Sequence, residues 1–315
     1  MTDRLQGHRI DTRATGGATA AAGSSANSGT HIGDTTITTV YTGPPPPVSW
    51  PVMCGVIPAL ASAFQDRTAL RTRVTAARNT GTGVILTQVL AGGGGVGKSQ
   101  LAAHFAHQAL REHTADLVIW VNATHVEQVI TAYALAAACL QIPGADSDDP
   151  AADATGLLRW LATTDRSWLV VLDDLTDPAG LQDWWPASHI GTGWVLATTR
   201  MREATLSGAG RTVVDIDVYH PDESAAYLTE RLTTAHLAHL LDGQAGQLAQ
   251  ALGHLPLALS HATAYMINQE VGCADYLTRF TEATRMTTVL GRDNDADGYG
   301  RQIDATLLLA VEAAQ

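Results

Sequence analysis

The sequence predicts an α/β fold in which a five-stranded, mostly parallel sheet is flanked by helices and followed by a small all-helical part. Between about residues 57 and 219, short apolar runs alternate with segments of helical periodicity, which is typical of parallel sheets covered by helices. A glycine-rich stretch follows the first apolar run. Beyond Pro221 the apolar runs stop and only helical periodicity continues. The sheet is therefore expected to precede the helical part in the chain.

The expected strands are short apolar runs that end in turn residues and are too brief for helices. They cover residues 84–90, 117–121, 168–172, 194–197 and 213–216. The expected helices carry apolar residues three or four positions apart. They cover residues 66–77, 99–113, 126–140, 157–162, 223–232, 237–252, 257–267 and 274–284. Because strands and helices alternate in the first half, the strands are expected to run parallel with crossover helices between them.

Changes in composition divide the chain into four segments. Residues 1–50 are rich in Gly, Ala, Ser and Thr, end in four prolines, and are expected to form a flexible leader. Within this leader, residues 35–41 have strand-like composition, although a lone strand needs a partner to be stable. The α/β domain is expected over 51–219 and the helical domain over 220–290, and residues 291–315 are expected to begin with a linker.

Charge and composition exclude several classes of function. With 19 basic and 31 acidic residues the net charge is −12, so we expect no direct binding to nucleic acid or to anionic membranes. The three cysteines are odd in number and far apart, which suits a reducing compartment. The chain carries neither an apolar run of about 20 residues nor a hydrophobic signal core, so a cytoplasmic location is expected.

A phosphate-binding loop (P-loop) is the strongest motif. The stretch from Gly92 to Ser99 matches G-x-x-x-x-G-K-[ST] and lies between an expected strand and an expected helix, the context that such a loop requires. Glycines let successive N–H groups point at a phosphate, and the helix N-terminus adds its dipole. Lys98 is the only lysine of the chain, and its compact ammonium suits phosphates better than a guanidinium does. The predicted phosphate-binding residues are Gly92, Gly94, Gly95, Val96, Gly97, Lys98, Ser99 and Gln100.

Acidic residues follow the third expected strand. Asp173 and Asp174 come directly after the apolar run 168–172. Together with the hydroxyl of Ser99, Asp173 would hold Mg²⁺, and Asp174 would orient or deprotonate the attacking water. On its own, this pattern is equally typical of a strand that ends in a solvated acidic turn. The P-loop upstream favours the metal site over that alternative.

Arg200 ends the strand-like stretch 194–200. At the carboxyl edge of a parallel sheet, its guanidinium could reach the γ-phosphate and so distinguish ATP from ADP. Arginine is also common on the surface after a strand, and spacing alone does not separate these two interpretations. The histidines His104 and His107 lie one turn apart on an expected helix, but no third ligand accompanies them, so we interpret them as structural.

In this order, the motifs resemble those of the NB-ARC branch of the signal-transducing STAND ATPases. The P-loop resembles that family's G-M-G-G-V-G-K-[ST] with Gly93 in place of methionine, residues 172–174 its metal-binding strand, and residues 198–200 its T-T-R sensor. Residues 253–259 resemble its G-L-P-L-A motif, in which Pro256 is expected to lie against adenine. Residues 64–67 stand where the family carries a G-R-E-like motif, so Arg67 is expected to touch the nucleotide. The resemblance spans about residues 57–285.

The resemblance implies an ATP- and ADP-binding signalling switch with slow Mg²⁺-dependent ATP hydrolysis that controls conformation and oligomerisation. Lys98, Asp174 and Arg200 would be its catalytic residues, and its partners would be nucleotide and other copies or proteins. Two departures stand out. The family's winged helix and its M-H-D motif are absent, so residues 291–315 would be a linker and the start of a truncated winged helix. The acidic pair also lacks the usual glutamate, which favours slow turnover.

Two alternatives belong to other classes of function. An inactive scaffold would keep the fold and use nucleotide only for structural support. A small-molecule or protein kinase could be built on the same P-loop, but it would need an acceptor pocket with its own base, and the motif around Pro256 is not found in such enzymes.

Overall fold

The computed structural model describes residues 27–32, 35–40, 47–80, 83–88, 94–145, 148–202, 206–207, 209–289, 306–307 and 309. The chain divides into two compact units, Met1–Val48 and Ser49–Gln315. In the first unit, strand β1 (Asn27–Ile32) pairs antiparallel with β2 (Thr35–Val40), and Asn27 lies opposite Val40. The stretch with strand-like composition in the expected leader therefore pairs with the residues just before it.

The second unit contains a parallel sheet with the strand order β3-β5-β6-β7-β4-β8. Its strands are β3 (Val52–Cys54), β4 (Gly83–Gln88), β5 (Leu117–Asn122), β6 (Trp168–Leu175), β7 (Gly193–Thr199) and β8 (Arg211–Ile216). Each strand pair in this sheet is parallel. The expected fold class is confirmed, but within the described residues the sheet has six strands instead of five. The edge strand β3 has only three residues, too few for a periodic pattern.

Four helices cover the sheet: α1 (Thr68–Thr80), α2 (Lys98–Arg111), α3 (Val126–Cys139) and α4 (Pro150–Thr163). Helix α1 packs on β4 and β8, α2 on β6 and β7, and α3 on β5 and β3, while α3 and α4 pack together. Residues 168–172 of β6 are all buried, so both faces of this central strand are covered. That double burial explains why the strands appear in the sequence as continuous apolar runs.

Helix α4 begins earlier than its apolar periodicity indicates. The side chain of Asp149 accepts hydrogen bonds from the backbone N–H groups of Ala151 and Ala152. Pro150 occupies the first helical position, where its missing N–H costs nothing. The cap and the proline therefore start the helix seven positions before Leu157, the first residue of the expected helix.

After β8 the chain forms four further helices: α5 (Pro221–Thr234), α6 (Ala245–Ala251), α7 (Pro256–Gln269) and α8 (Cys273–Val289). The single helix expected over 237–252 is wrong, because a 3₁₀ turn (Ala238–Leu241) precedes α6. The break lies at Asp242 and Gly243, whose φ angles of 37° and 77° are left-handed. These helices share a buried core with the sheet that includes Leu228, Leu259 and Tyr276.

Two expectations concern the ends of this architecture. Strand β8 ends at Ile216 and α5 begins at Pro221, on either side of the boundary expected near residue 219. Of the segment 291–315, the structure describes only residues 306–307 and 309, so the expected linker and winged helix lie almost entirely outside the described residues. None of the helices described is both long and apolar enough to cross a lipid bilayer.

Candidate functional site

The P-loop lies between β4 and α2. Gly95 and Gly97 have φ angles of 101° and 90°, a region that residues with a Cβ rarely adopt. Gly97 is the N-cap of α2, and among the described residues no side chain caps this helix end. The first N–H groups of α2 are therefore not satisfied by a side-chain cap, and such groups can bind an anion. Gly92, also predicted to bind phosphate, lies outside the described residues.

Lys98 is the first residue of α2 and is almost completely buried, with 8% of its surface exposed. Burial lowers the pKa of its ammonium, and the nearby positive charge of Arg200 lowers it further, while Asp174 and Asp173 act in the opposite direction. An anionic ligand at the P-loop would stabilise the charged form of this buried lysine.

Four polar side chains converge on the carboxyl edge of the sheet. Asp173 Oδ1 accepts hydrogen bonds from Ser99 Oγ at 2.7 Å and from Thr198 Oγ1 at 2.6 Å. Asn122 ends β5 in register with Asp173 on β6, so its side chain reaches the same edge. This set of hydroxyl and carboxylate oxygens is the type that Mg²⁺ prefers, and the predicted metal residues Ser99 and Asp173 thus lie in contact.

Asp174 adopts an unusual backbone conformation, with φ at 56° beside a register irregularity in the pairing of β6 with β7. Its N–H donates to Thr198 Oγ1 at 2.8 Å, so one hydroxyl fixes both acidic residues. Its carboxylate lies 3.5 Å from Nε of Arg200. A Cβ placed on Gly94 would lie 3.7 Å from Cζ of Arg200, which brings the arginine to the P-loop. The structure therefore brings together Arg200, the acidic pair and the P-loop.

The helical part contacts the P-loop directly. Pro256 occupies the first turn of α7, and the N–H of the next residue, Leu257, donates to the carbonyl of Gly95 at 3.1 Å. On the other side of the same motif, His254 binds α5: its Nδ1 lies 2.9 Å from Ser224 Oγ. The motif with its proline thus joins the P-loop to the core of the helical part.

Arg67 lies between the P-loop and the helical part. Its Nη2 donates to the carbonyls of Asp217 and Val218, both at 2.9 Å, and its Nη1 donates to the carbonyl of Val96 at 3.4 Å. Its Nε lies 3.6 Å from Oε2 of Glu223. The sequence predicts that Arg67 touches the nucleotide. The structure places it in the wall of the cavity with its guanidinium bound to backbone carbonyls.

Helix α2 holds the segment before Arg67 through two side chains, in contacts that the sequence does not predict. The amide of Gln100 accepts from the N–H of Ala61 at 2.6 Å and donates to the carbonyl of Ala59 at 3.2 Å. His107 donates to the carbonyl of Pro58 at 2.9 Å. The side-chain amide of Gln100, a predicted phosphate-binding residue, is therefore occupied with residues 59–61, and the side chain of His107 holds Pro58 of the same segment.

One cavity of about 550 Å³ connects these features, a volume typical of sites for small ligands. Every described residue of the predicted site lines it, namely Arg67, Gly94, Gly95, Val96, Gly97, Lys98, Ser99, Gln100, Asp173, Asp174, Arg200 and Pro256. Its wall also contains residues that the sequence analysis missed, namely Ala61, Leu101, Asn122, Tyr219, Tyr227 and Ser260. Asn122 could have been found, because it follows an apolar run at the same sheet edge as Asp173.

The aromatic residue Tyr219 also forms part of the cavity wall. It lies just after β8, and its N–H donates to the carbonyl of His254 at 2.9 Å. Burial raises the pKa of its phenol to about 12, with a smaller contribution from Tyr227. Both aromatic rings line the cavity, so this part of its wall offers flat apolar surface together with hydroxyl groups.

The sequence of this chain matches one protein family and is similar to several curated proteins. Residues 75–237 match the NB-ARC domain family. Regulatory protein AfsR of Streptomyces griseus is 33% identical over 219 residues, which are 66% of this chain and 21% of that protein. A nucleotide-binding leucine-rich repeat (NLR)-like protein of Hyaloscypha variabilis is 25% identical over 206 residues, 60% of this chain and 20% of that one. The chain spans about a fifth of the length of these curated relatives.

Among solved structures, a STAND protein with a tetratricopeptide repeat sensor from Pyrococcus horikoshii is similar to this chain. It is 14% identical and has a TM-score of 0.44, and the similarity covers 85% of this chain and 41% of the other.

Proposed function

This chain belongs to the NB-ARC family, and from this membership we propose that it is an ATP- and ADP-binding switch with slow Mg²⁺-dependent ATP hydrolysis that controls its conformation and oligomerisation. The observation that carries the proposal is that Lys98, Asp173, Arg200 and Pro256, from four separate motifs, line one cavity. Their convergence on one cavity supports a common ligand for the four motifs.

The phosphates would lie in the P-loop. The N–H groups from Gly94 to Gln100 and the ammonium of Lys98 would bind them, and the dipole of α2 would favour their negative charge. Ser99 and Asp173 would hold Mg²⁺, because both present oxygen atoms at one point. When bound, the metal would neutralise charge on the phosphate oxygens. We assign phosphate binding by Gln100 to its backbone, since its side chain binds Ala59 and Ala61.

The base would lie between the P-loop and the helical part. Pro256 and the aromatic residues Phe64 and Tyr219 supply flat apolar surface there. We assign Arg67 to positioning this wall, because its guanidinium already binds three carbonyls. The α/β domain (51–219) and the helical domain (220–290) would thus share the ligand, so its occupancy could change their relative orientation.

Asp174 and Arg200 would distinguish ATP from ADP. Arg200 approaches both the P-loop and Asp174, so a γ-phosphate at this place would compete for its guanidinium. Asp174, released from this pair, would accept a proton from water or orient it for attack on the γ-phosphate. Because Asp174 would become free to act only after Arg200 has moved to the γ-phosphate, ATP hydrolysis is expected to be slow. The protein partners of this switch would be other copies of the chain or other proteins.

Phosphate release from Mg²⁺-ATP tests the proposal. We expect slow release by the natural chain and none above background for Asp174→Asn, which keeps the shape of the side chain and removes its charge. Release equal in both proteins would contradict the assigned role of Asp174. Binding of nucleotide without any release by the natural chain would favour the inactive scaffold.

A further inference from the structure

One side chain connects the P-loop to the segment that joins the two parts of the second unit. Arg67 precedes α1 and contacts three separate segments. These are the P-loop through the carbonyl of Val96, the connection between β8 and α5 through Asp217 and Val218, and α5 itself through Glu223. Its side chain is only 11% exposed, so these contacts replace most of its hydration.

The chemistry of the group explains why an arginine occupies this position. A guanidinium presents five N–H donors in a rigid plane and can bind several carbonyls in fixed directions, whereas an ammonium cannot reproduce that pattern. Cζ of Arg67 also lies 5.5 Å from the ring centroid of Tyr219, within the range of a cation–π contact. Movement of any one of these partners would leave a buried donor or charge unpaired, at a substantial cost.

Glu223 extends the contact into α5. Its Oε2 accepts from the N–H of His220, which makes it part of the capping box of this helix, and the same oxygen lies 3.6 Å from Arg67 Nε. The start of α5 therefore interacts with Arg67 through the charge of Glu223, and with the connection between β8 and α5 through the capping box of His220 and Glu223. A displacement of α5 would change the surroundings of the guanidinium.

We propose that Arg67 is a positioning residue that couples the conformation of the P-loop to the orientation of the helical part. The inference rests on the proposed binding of nucleotide. Phosphate bound by the loop would fix the peptide of Val96, its carbonyl would fix the guanidinium, and the guanidinium would fix residues 217–218 and the start of α5. Because coupling is reciprocal, the orientation of the helical part would in turn change the affinity for nucleotide.

Two spin labels measure the coupling. Cys139 is exposed on α3, and Asn268→Cys would add an exposed site on α7 in the helical part. In the otherwise natural chain we expect ADP with Mg²⁺ to change and narrow the distribution of distances between the labels. With Arg67→Lys we expect the distribution to respond little to ADP, and the affinity for ADP to fall about tenfold, within the 5- to 150-fold range typical of coupled sites.

Arg71→Lys is the matched control. It makes the same replacement one helical turn further along, where Arg71 Nη1 pairs with Asp66 Oδ1 at 2.6 Å. Within the described residues, the side chain of Arg71 has no hydrogen bond or ion pair with the P-loop or with the connection between β8 and α5. We expect the control to bind ADP and to respond to it like the natural chain. A response of Arg67→Lys as large as that of Arg71→Lys would overturn the inference, even if the affinity for ADP had fallen.

Glu223→Gln provides a second test in case Arg67→Lys does not fold, which the loss of a cooperative melting transition would reveal. This change keeps an oxygen that can cap His220 and removes the charge facing Arg67, so it is expected to reduce the response of the labels while the protein stays folded. An undiminished response would overturn the inference. Failure of the natural chain to bind ADP would overturn the proposed function together with the inference. If the natural chain binds ADP and the label distances respond to ADP equally in the natural chain, Arg67→Lys and Glu223→Gln, the inference alone is overturned.

Discussion

The N–H of Leu257 donates a hydrogen bond to the carbonyl oxygen of Gly95, at 3.1 Å. The side chain of Leu257 also lies close to Gly95: a Cβ added to Gly95 would lie 2.7 Å from the Cβ of Leu257. At Gly95 and Leu257 the P-loop and the helical part are thus packed so closely that there is no room for a Cβ on residue 95. This contact explains why glycine occupies position 95 independently of any phosphate.

Gly95→Ala tests this contact against Gly97→Ala. Both glycines have positive φ, so either alanine would add strain of about 1–3 kcal/mol. Only the alanine at position 95 would also collide with Leu257, since a Cβ at position 97 meets nothing within 4 Å. We expect Gly95→Ala to lower the free energy of unfolding by about 1–3 kcal/mol more than Gly97→Ala, measured by urea denaturation. Equal losses would show that Leu257 can move away.

Thr198→Val removes the hydroxyl that donates to Asp173 and accepts from the N–H of Asp174. Because this threonine is 1% exposed, water would not replace either hydrogen bond. We expect the Mg²⁺ concentration needed for half-maximal ATP binding to rise about 10- to 100-fold, as for the loss of a hydrogen bond to a charged group. Thr198→Ser keeps the hydroxyl and is expected to stay within about threefold of the natural value. Similar values for both variants would show that the hydroxyl does not position the acidic pair.

Arg200→Gln is expected to weaken binding of a non-hydrolysable ATP analogue about 10- to 100-fold and to leave ADP binding nearly unchanged. The change should lower the stability of the protein by less than about 1 kcal/mol, because the pair of Arg200 with Asp174 is solvent-exposed. Titration calorimetry with both nucleotides separates these effects. An equal loss of affinity for ADP and the analogue would exclude Arg200 as the sensor of the γ-phosphate.

His104 makes the stability of the protein sensitive to acid. Its ring stacks on Phe64 at a centroid distance of 5.0 Å, and neither ring nitrogen has a hydrogen-bond partner within the described part of the chain. Burial, aided by the charge of Arg71, lowers the pKa of this imidazole below its ordinary 6.5. As the pH falls below about 6.5, the unfolded chain therefore binds a proton more readily than the native one, and stability is lost.

His104→Phe keeps the stacking and removes the titrating group. We expect its free energy of unfolding to decrease less than that of the natural chain between about pH 7 and pH 5, measured by urea denaturation at each pH. The same dependence on pH in both proteins would mean that other groups cause the loss of stability.

The sequence predicts the sheet because its strands are buried on both faces, so each appears as an uninterrupted apolar run. It also predicts that Ser99 and Asp173 lie close together, since parallel strands end at one edge and P-loops precede helices. For Arg200, spacing alone leaves a surface position equally open, and the resemblance to the NB-ARC family favours the site. Strand β3 escapes prediction because three residues at an edge carry no periodicity. The helix expected over 237–252 is broken by the left-handed Asp242, a conformation that the apolar pattern does not encode.

Other features of the site depend on distant partners. The carbonyls that Arg67 binds belong to Val96, Asp217 and Val218, and any residue supplies a carbonyl, so no motif marks them. Gln100 follows the P-loop and is therefore expected at the phosphate, but no motif indicates that its side-chain amide bonds to Ala61. Such contacts follow from how the segments pack, and only the structure locates them.

Titration with Mg²⁺-ADP of the natural chain, Lys98→Ala and Lys98→Arg tests directly whether the cavity around Lys98 binds nucleotide. We expect the natural chain to bind and both variants to lose at least about tenfold in affinity, Lys98→Ala because the charge is gone and Lys98→Arg because a broad guanidinium does not fit between phosphates. Equal affinity of all three proteins would contradict the assignment of the cavity around Lys98 as the nucleotide site.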